Sequence, residues 1–403
     1  MVLKLLLKLV WQEVKEVKVN RRIVITIVIL IFLLVSLSEI SATFNSFLSQ
    51  NGKSSNYIYN DKIINEKFIE DERQEIENTQ ISFRGIDFYP DPYPYATSEA
   101  FDALENLLNF QGMNYVQLRF FLNQDSITSN GVVYDEKQDI ILESMIAMIH
   151  QAGKKVSLLP DIIIKTGDYV ANLCPEDIEQ WFTSYHDALM HYAILAQTYD
   201  VELFCIGNEF NSLWTEDQKW GYIIDKLREQ YKGLVITKLN CWWQEKTFQK
   251  VLTYGWLEKL DYIAIAPYFD LTWENNLSLE EIKSSWQNSR HGLNIVAELE
   301  EIAKKHKKKM IFSEMGYRSI DGTTIEPWNG DPIVPRSGGS GKIDLEEQSL
   351  ATQALLDVFK DKDWWGGVFW FYWPTVKPIG EDRTWAIWNK PVELVIQNNF
   401  CNK

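Results

Sequence analysis

The sequence predicts an α/β fold, a (β/α)8 TIM barrel preceded by an N-terminal hydrophobic helix and a polar linker. Three features predict it. From Ile81 onward, eight strand-like runs alternate with helical patterns. The strand runs are apolar almost throughout, as parallel strands are when both faces are covered. Two of the runs end in a glutamate: Val201–Phe210 (Val-Glu-Leu-Phe-Cys-Ile-Gly-Asn-Glu-Phe) delivers Asn208 and Glu209, and Lys309–Ser319 delivers Glu314.

Residues 1–22 form a basic amphipathic segment, with Lys4, Lys8, Lys15, Lys18, Arg21 and Arg22 against Glu13 and Glu16. Ile23–Leu37 is aliphatic almost throughout, and the apolar character extends to about residue 43. Residues 23–43 read as a transmembrane signal anchor or as a signal peptide. The long basic lead and the poor exit at Ser41-Ala42 favour the anchor. Basic residues on the N-terminal side then leave the bulk of the chain outside the cytoplasm, and a cleaved segment would make it secreted. Residues 44–80 are polar and Asn-rich, a linker.

The expected barrel occupies 81–403. Its strands are Phe83–Phe88, Tyr115–Phe121, Lys155–Pro160, Val201–Gly207, Leu234–Asn240, Tyr262–Ala266, Met310–Ser313 and Gly367–Phe371. Helical patterns fall at Ser98–Phe110, Glu136–Ala152, Pro175–Thr198, Glu216–Tyr231, Leu279–Lys305 and Leu345–Lys360. Pro175 suits a first helical turn, while Gly153 and Gly233 stand where helices stop. Asp321–Lys342 is a long loop after the seventh strand. A doubly wound sheet would show the same alternation, but no Gly-rich phosphate turn follows the first strand.

Composition narrows the function. At 403 residues the chain can bury a large core. A net charge of −16 argues against nucleic acid as a partner. The four cysteines are scattered, no metal-ligand spacing occurs, and no cofactor is implied. Of the sixteen tryptophans, eight crowd into pairs such as Trp242-Trp243 and Trp370 with Trp373, and flat rings at loop positions suit the apolar faces of sugars.

Reactive groups of such a barrel sit at the C-terminal ends of its strands. Those ends carry Asp87 and Tyr89, Arg119, Asp161, Asn208-Glu209, Trp242-Trp243, Tyr268, Glu314 and the Trp370–Trp373 stretch. A carboxylic acid and a carboxylate flanking a glycosidic bond can cleave it with retention, one protonating the leaving oxygen and one attacking the anomeric carbon. Arg119 and the Tyr268 hydroxyl are candidates to keep the attacking group ionised, and Asn208 to meet the sugar 2-hydroxyl. A lone Glu at a strand end is more often a surface group, so the weight rests on the pair. Trp242, Trp370 and Trp373 are candidate stacking platforms, although alternation puts Trp370 and Trp373 on opposite faces.

The stretches Arg84-Gly-Ile-Asp-Phe88, Phe204-Cys-Ile-Gly-Asn-Glu209, Lys226-Leu-Arg-Glu-Gln-Tyr-Lys-Gly233, Pro267-Tyr-Phe269 and Phe312-Ser-Glu-Met-Gly-Tyr-Arg-Ser319 resemble glycoside hydrolase family 113. The resemblance spans nearly the whole barrel. It implies a β-mannanase-like retaining glycosidase in which Glu209 is the acid/base and Glu314 the nucleophile. Asn208 stands where that family often has Thr, and so looks more like the wider clan. The expected protein is a monomer acting on a β-linked polysaccharide or oligosaccharide, mannan or glucomannan first. Two rivals are a non-catalytic sugar-binding barrel at the cell surface and a transglycosylase or hydrolase acting on the cell's own surface polymer.

Overall fold

The structure, a computed structural model, describes residues 81–91, 94–240, 246–330 and 339–401. The basic N-terminal segment, the 23–43 anchor and the 44–80 linker expected from sequence lie outside the described residues, as does Trp242. Among the described residues no helix is long and apolar enough to cross a membrane.

The chain runs β1 (Phe83–Tyr89), α1 (Ser98–Leu108), β2 (Tyr115–Gln124), β3 (Val133–Tyr134), α2 (Asp139–Gln151), β4 (Lys155–Ile164), α3 (Ile178–Thr198), β5 (Leu203–Asn208) and α4 (Asp217–Gln230). It continues through β6 (Leu234–Lys238), α5 (Thr247–Val251), β7 (Ile263–Ile265), α6 (Leu279–Ser285), α7 (Ile295–His306), β8 (Met310–Met315), α8 (Leu345–Phe359), β9 (Trp365–Pro374) and α9 (Pro391–Cys401). All eight expected strands form. The short β3 pairs antiparallel with β2 as an addition to the rim.

The strands pair in parallel in the order β6-β5-β4-β2-β1-β9-β8-β7. The two ends of that series meet at a parallel bridge between Leu239 and Ile265. There Leu239 N donates to Ala264 O (3.0 Å) and Ala266 N to Leu239 O (2.8 Å), which closes the barrel. Helix starts carry local caps: Thr97 accepts from Ala100 N, Asp177 from Gln180 N and Asp344 from Glu347 N. Each such cap satisfies a backbone donor that the helix itself leaves unpaired.

Two apolar layers follow from the strand period of two. Inside, every strand of the closed barrel sends at least one residue to a buried cluster that includes Phe83, Tyr115, Leu159, Leu234, Ala264 and Phe369. Outside, residues such as Val116, Leu118 and Phe120 of β2 join the larger core shared with the helices. The interior cluster is possible because of Gly85, where a Cβ would stand 2.1 Å from Cδ1 of Phe369.

Gly367 is a harder constraint. Its φ is +140°, and a Cβ there would lie 2.1 Å from the backbone oxygen of Phe83, its partner across the β1–β9 pair. Backbone cannot swing aside as a side chain can. Gly367→Ala is therefore expected to lose roughly 3 kcal/mol or to fail to fold. Urea unfolding checks this, and a variant within about 1 kcal/mol of the parent, the range of a tolerated core swap, would contradict it.

One expected element is corrected. The continuous helix Leu279–Lys305 is two helices, α6 and α7. Ser278 opens α6 with a reciprocal capping box to Glu281, and Asn294 caps α7 by accepting from Ala297 N. Between them Gly292 takes a left-handed φ of 72°, and Gly292 N bonds to Ser289 O (2.8 Å). The turn-forming Asn288-Ser289 and Gly292 override the apolar period here. The break matters, because it carries Arg290 and His291 to the barrel mouth.

Candidate active site

The same alternation that builds the apolar floor places charged residues above it. Along β1, Phe83 lies in the floor and Asp87 higher on the same face; along β2, Tyr115 is followed by Gln117 and Arg119; along β6, Leu234 and Ile236 are followed by Lys238. Asp87, Arg119 and Lys238 are at most 4% exposed, so each must find its partner inside.

Arg119 is held first by Asp87: Nη2 reaches Asp87 Oδ2 at 2.5 Å and Nε reaches Oδ1 at 3.3 Å. Gln117 Nε2 donates to the same Asp87 carboxylate (3.2 Å) and to Ser313 O (3.1 Å). Arg119 then donates through Nη1 to Asp161 (3.0 Å) and through Nη2 to Glu314 Oε2 (2.8 Å). Its guanidinium also lies 4.7 Å from the Tyr89 ring centroid.

Glu314, on β8, collects three donors. Oε2 accepts from Arg119 and from Lys238 Nζ (2.5 Å), and Oε1 accepts from the Tyr268 hydroxyl (3.2 Å). Burial pushes this carboxyl up, but the Lys238 and Arg119 charges and their hydrogen bonds outweigh it and lower the pKa to about 2. Glu314 is thus ionised across the ordinary pH range. With two cationic donors on Oε2 and one hydroxyl on Oε1, Oε1 is the less encumbered oxygen.

Glu209 follows β5 directly and has a left-handed φ of 61°, a conformation costing about 1 kcal/mol for a residue with a Cβ. Its N–H still bonds to Lys238 O (2.9 Å), which ties the turn to β6. Glu209 Oε2 accepts from the Tyr169 hydroxyl (2.7 Å), itself bonded by Asn240 Nδ2 (2.8 Å). Lys238 Nζ lies 3.7 Å from Oε1. Burial raises the Glu209 pKa, and the neighbouring Glu314 charge adds to the rise, against the opposing pull of Lys238 and Tyr169. One carboxyl is kept charged and the other is helped to hold a proton, which is the division of labour an acid and a nucleophile need.

Two cavities open from this pair. The larger, about 700 Å³, is walled by Tyr268, Asp270, Arg290, Trp328, Phe371 and Trp385. Asp270 pairs with Arg290 and accepts from Trp328 Nε1 (2.8 Å). The second, about 430 Å³, is walled by Tyr89, Arg119, Asp161, Asn208 and Lys238. Tyr169, Glu209, Glu314 and Phe371 border both, so the carboxylates stand between two openings.

The expected residues Glu209, Glu314, Arg119, Tyr268 and Asn208 come together. Asn208 is buried with Oδ1 lacking a partner among the described residues. Trp370 and Trp373 do not join them, which corrects the expected platforms. Both are at most 2% exposed; Trp373 bonds to Ala103 O of α1 (3.2 Å) and stacks on Trp388. Phe371 continues the inward face of Phe369 and borders the cleft, and a register shift against β1 at Tyr372 returns Trp373 to the outer layer with Trp370. Lys238 was missed, although a lysine within the apolar run Leu234–Leu239 was a signal. Tyr169 gave none, since it sits in the loop after β4. No residue pattern among the described cleft residues calls for a metal. Elsewhere Asp321, Asp344 and Glu347 approach within 4.8 Å, but Asp344 caps α8, Glu347 accepts from Gly322 N and Asp321 from Ser340 N.

Comparison with known proteins agrees with the geometry. The model of Glycoside Hydrolase Family 113 matches residues 88–387. A β-mannanase of that family from Alicyclobacillus acidocaldarius, in complex with the ligand ManMIm, is 24% identical, with a TM-score of 0.67 over 81% of this chain and 98% of its own. A second family 113 β-1,4-mannanase is 22% identical, with a TM-score of 0.66 over 80% and 99%. An endoglucanase from Pseudomonas stutzeri shares the fold more distantly, at 14% identity and a TM-score of 0.51 over 79% and 93%. No curated protein sequence matches the chain.

Proposed function

Because the chain belongs to glycoside hydrolase family 113, we propose that it is a retaining β-glycosidase that cuts internal β-1,4 bonds of mannan or glucomannan. The observation that carries the retaining reading is Lys238. One ammonium lies 3.7 Å from Glu209 and 2.5 Å from Glu314. The two carboxylate oxygens it faces are then at most about 6.2 Å apart, short of the gap of about 6.5 Å or more that leaves room for an inverting water. The mannan reading is supported by the β-mannanase neighbours and by a cleft open on both sides of the pair, which suits a bond inside a polymer.

In the proposed first step Glu314 Oε1 attacks the anomeric carbon while Glu209 gives its proton to the leaving oxygen. Glu209, now a carboxylate, removes a proton from water in the second step, and water displaces Glu314. Asn208, beside Glu209 and bordering the smaller cavity, is the residue we propose to meet the sugar 2-hydroxyl.

The pH profile follows with its signs. Glu314 must be ionised, so kcat/KM is lost on the acid side only as pH falls towards about 2. Glu209 must be protonated, so activity is lost on the alkaline side as pH rises through a value above the ordinary carboxyl range. The two limbs belong to the coupled pair. An acid limb near pH 4–5, the ordinary carboxylate region of about 4.3, in protein still folded there would contradict the cationic hold on Glu314.

The test of the reading is a panel of β-mannan, glucomannan, β-glucan and xylan, scored by reducing ends and product anomer. Binding without turnover would favour the sugar-binding rival, and new, longer products with an added acceptor the transglycosylase. We also propose that residues 23–43 anchor the enzyme with its barrel outside the cytoplasm. Alkaline carbonate washing that releases the full chain from membranes would overturn the anchor.

A further inference from the structure

Lys238 has a role beyond lowering the pKa of Glu314. It is 1% exposed, and among the described residues it is the one cation within 4 Å of both Glu209 and Glu314. Arg119, the other cation in the cluster, already serves Asp87 and Asp161 as well as Glu314. The groups facing Lys238 are Glu209 at the end of β5, Glu314 on β8, Arg119 on β2 and Asp87 on β1; Tyr268 bonds to Glu314, and the Cys205 thiol on β5 also feels its charge.

Double displacement, the reading this inference rests on, moves negative charge from one glutamate to the other. In the first step a lone pair of Glu314 Oε1 forms the bond to the anomeric carbon. The bond from that carbon to the leaving oxygen breaks, its pair stays on the oxygen, and the proton of Glu209 neutralises it. Glu314 is now a neutral ester and Glu209 an anion. In the second step Glu209 takes a proton from water, the water oxygen bonds to the anomeric carbon, and the ester pair returns to Glu314. A buried ammonium cannot be left facing an ester while an unpaired carboxylate lies beside it.

We propose that Lys238 is a shared counter-ion that changes partners, paired with Glu314 before the first step and with Glu209 in the glycosyl-enzyme. Moving from 3.7 Å to hydrogen-bond distance of Glu209 takes less than about 1 Å. Lys238 remains an ammonium throughout. Its contribution is to keep Glu209 ionised as the base for the second step.

The experiment uses 2,4-dinitrophenyl β-mannoside, whose leaving group needs no acid, and follows dinitrophenolate before the steady state. Lys238→Met is expected to lower kcat about 100-fold, the scale of losing one preorganised charge partner, with a matching fall in KM and a burst near one equivalent. Azide, which needs no base, should restore turnover, and Lys238→Arg should retain most of it. No burst and no response to azide would overturn the inference and leave Lys238 a purely structural charge.

A second measurement does not depend on the variant folding. The wild-type enzyme, trapped with 2-deoxy-2-fluoro-β-mannosyl fluoride, is solved crystallographically. Lys238 Nζ bonded to Glu209 supports the exchange of partners, and Nζ remaining on the esterified Glu314 overturns it. In that second case the function still stands. Labelling at a residue other than Glu314, or wild-type protein inactive across the polymer panel, would instead remove the glycosidase reading beneath it.

Discussion

Glu314→Ala is expected to lower activity on mannan by on the order of 10⁵-fold, because it removes the attacking atom and not merely a contact to it. The surrounding Arg119, Lys238 and Tyr268 donors stay in place and now face a small anion-sized space. Azide should enter it and restore part of the rate on a dinitrophenyl glycoside. Its product would be the α-glycosyl azide, since a direct attack on a β-glycoside inverts the centre. A β-azide, or full activity without azide, would show that Glu314 is not the nucleophile. Circular dichroism of the variant separates this from misfolding, which the loss of one carboxylate from a site with two buried cations could cause.

Glu209→Ala is the second large effect, and leaving-group chemistry distinguishes it. On mannan, where the departing sugar oxygen needs a proton, a loss of about 10³- to 10⁴-fold is expected from removing general acid catalysis. On the dinitrophenyl glycoside the first step should survive, so the glycosyl-enzyme accumulates and a burst appears. Azide then attacks the trapped α-linked ester from the opposite face and gives a β-glycosyl azide. The two glutamates are thereby told apart by the anomer of one product. Equal losses on both substrates would remove Glu209 from the acid/base role. The left-handed backbone at Glu209 adds a control: its N–H to Lys238 O bond does not need the side chain, so the β5–β6 joint should persist.

Much of the cleft's strand-borne part was legible beforehand. Asn208 and Glu209 close one apolar run and Glu314 another, and a barrel gathers strand ends at one mouth. Arg119 and Tyr268 were found by the same reasoning, and both contact Glu314. What strand ends do not reveal is the wall built by loops. Trp328 and Trp385 enter from the segments after β8 and β9, and Arg290 from the break between α6 and α7. Their positions depend on contacts such as Asp270 with Arg290 and Trp328, which join residues far apart in the chain. The tryptophan-rich end of β9 misled for the converse reason. Ring chemistry suggested a sugar platform, but Trp370 and Trp373 are needed to fill the layer between barrel and helices.

The sequence by itself determined the eight strand–helix units, the two glutamates at the mouth and the face of each strand residue where alternation is unbroken, which it is not at Tyr372 of β9. All of these follow from local periodicity: a step of two along a strand, an apolar run covered on both sides, a polar residue where the run ends. Tertiary structure alone decided that Lys238 joins the two glutamates and Arg119. Lys238 lies 29 residues after Glu209 and 76 before Glu314, yet its ammonium stands between them. Closure of β6 onto β7 brings the two halves of the barrel around it. The physical reason is that burial leaves a charge no water to turn to, so its partner is set by whatever the closed barrel places within reach.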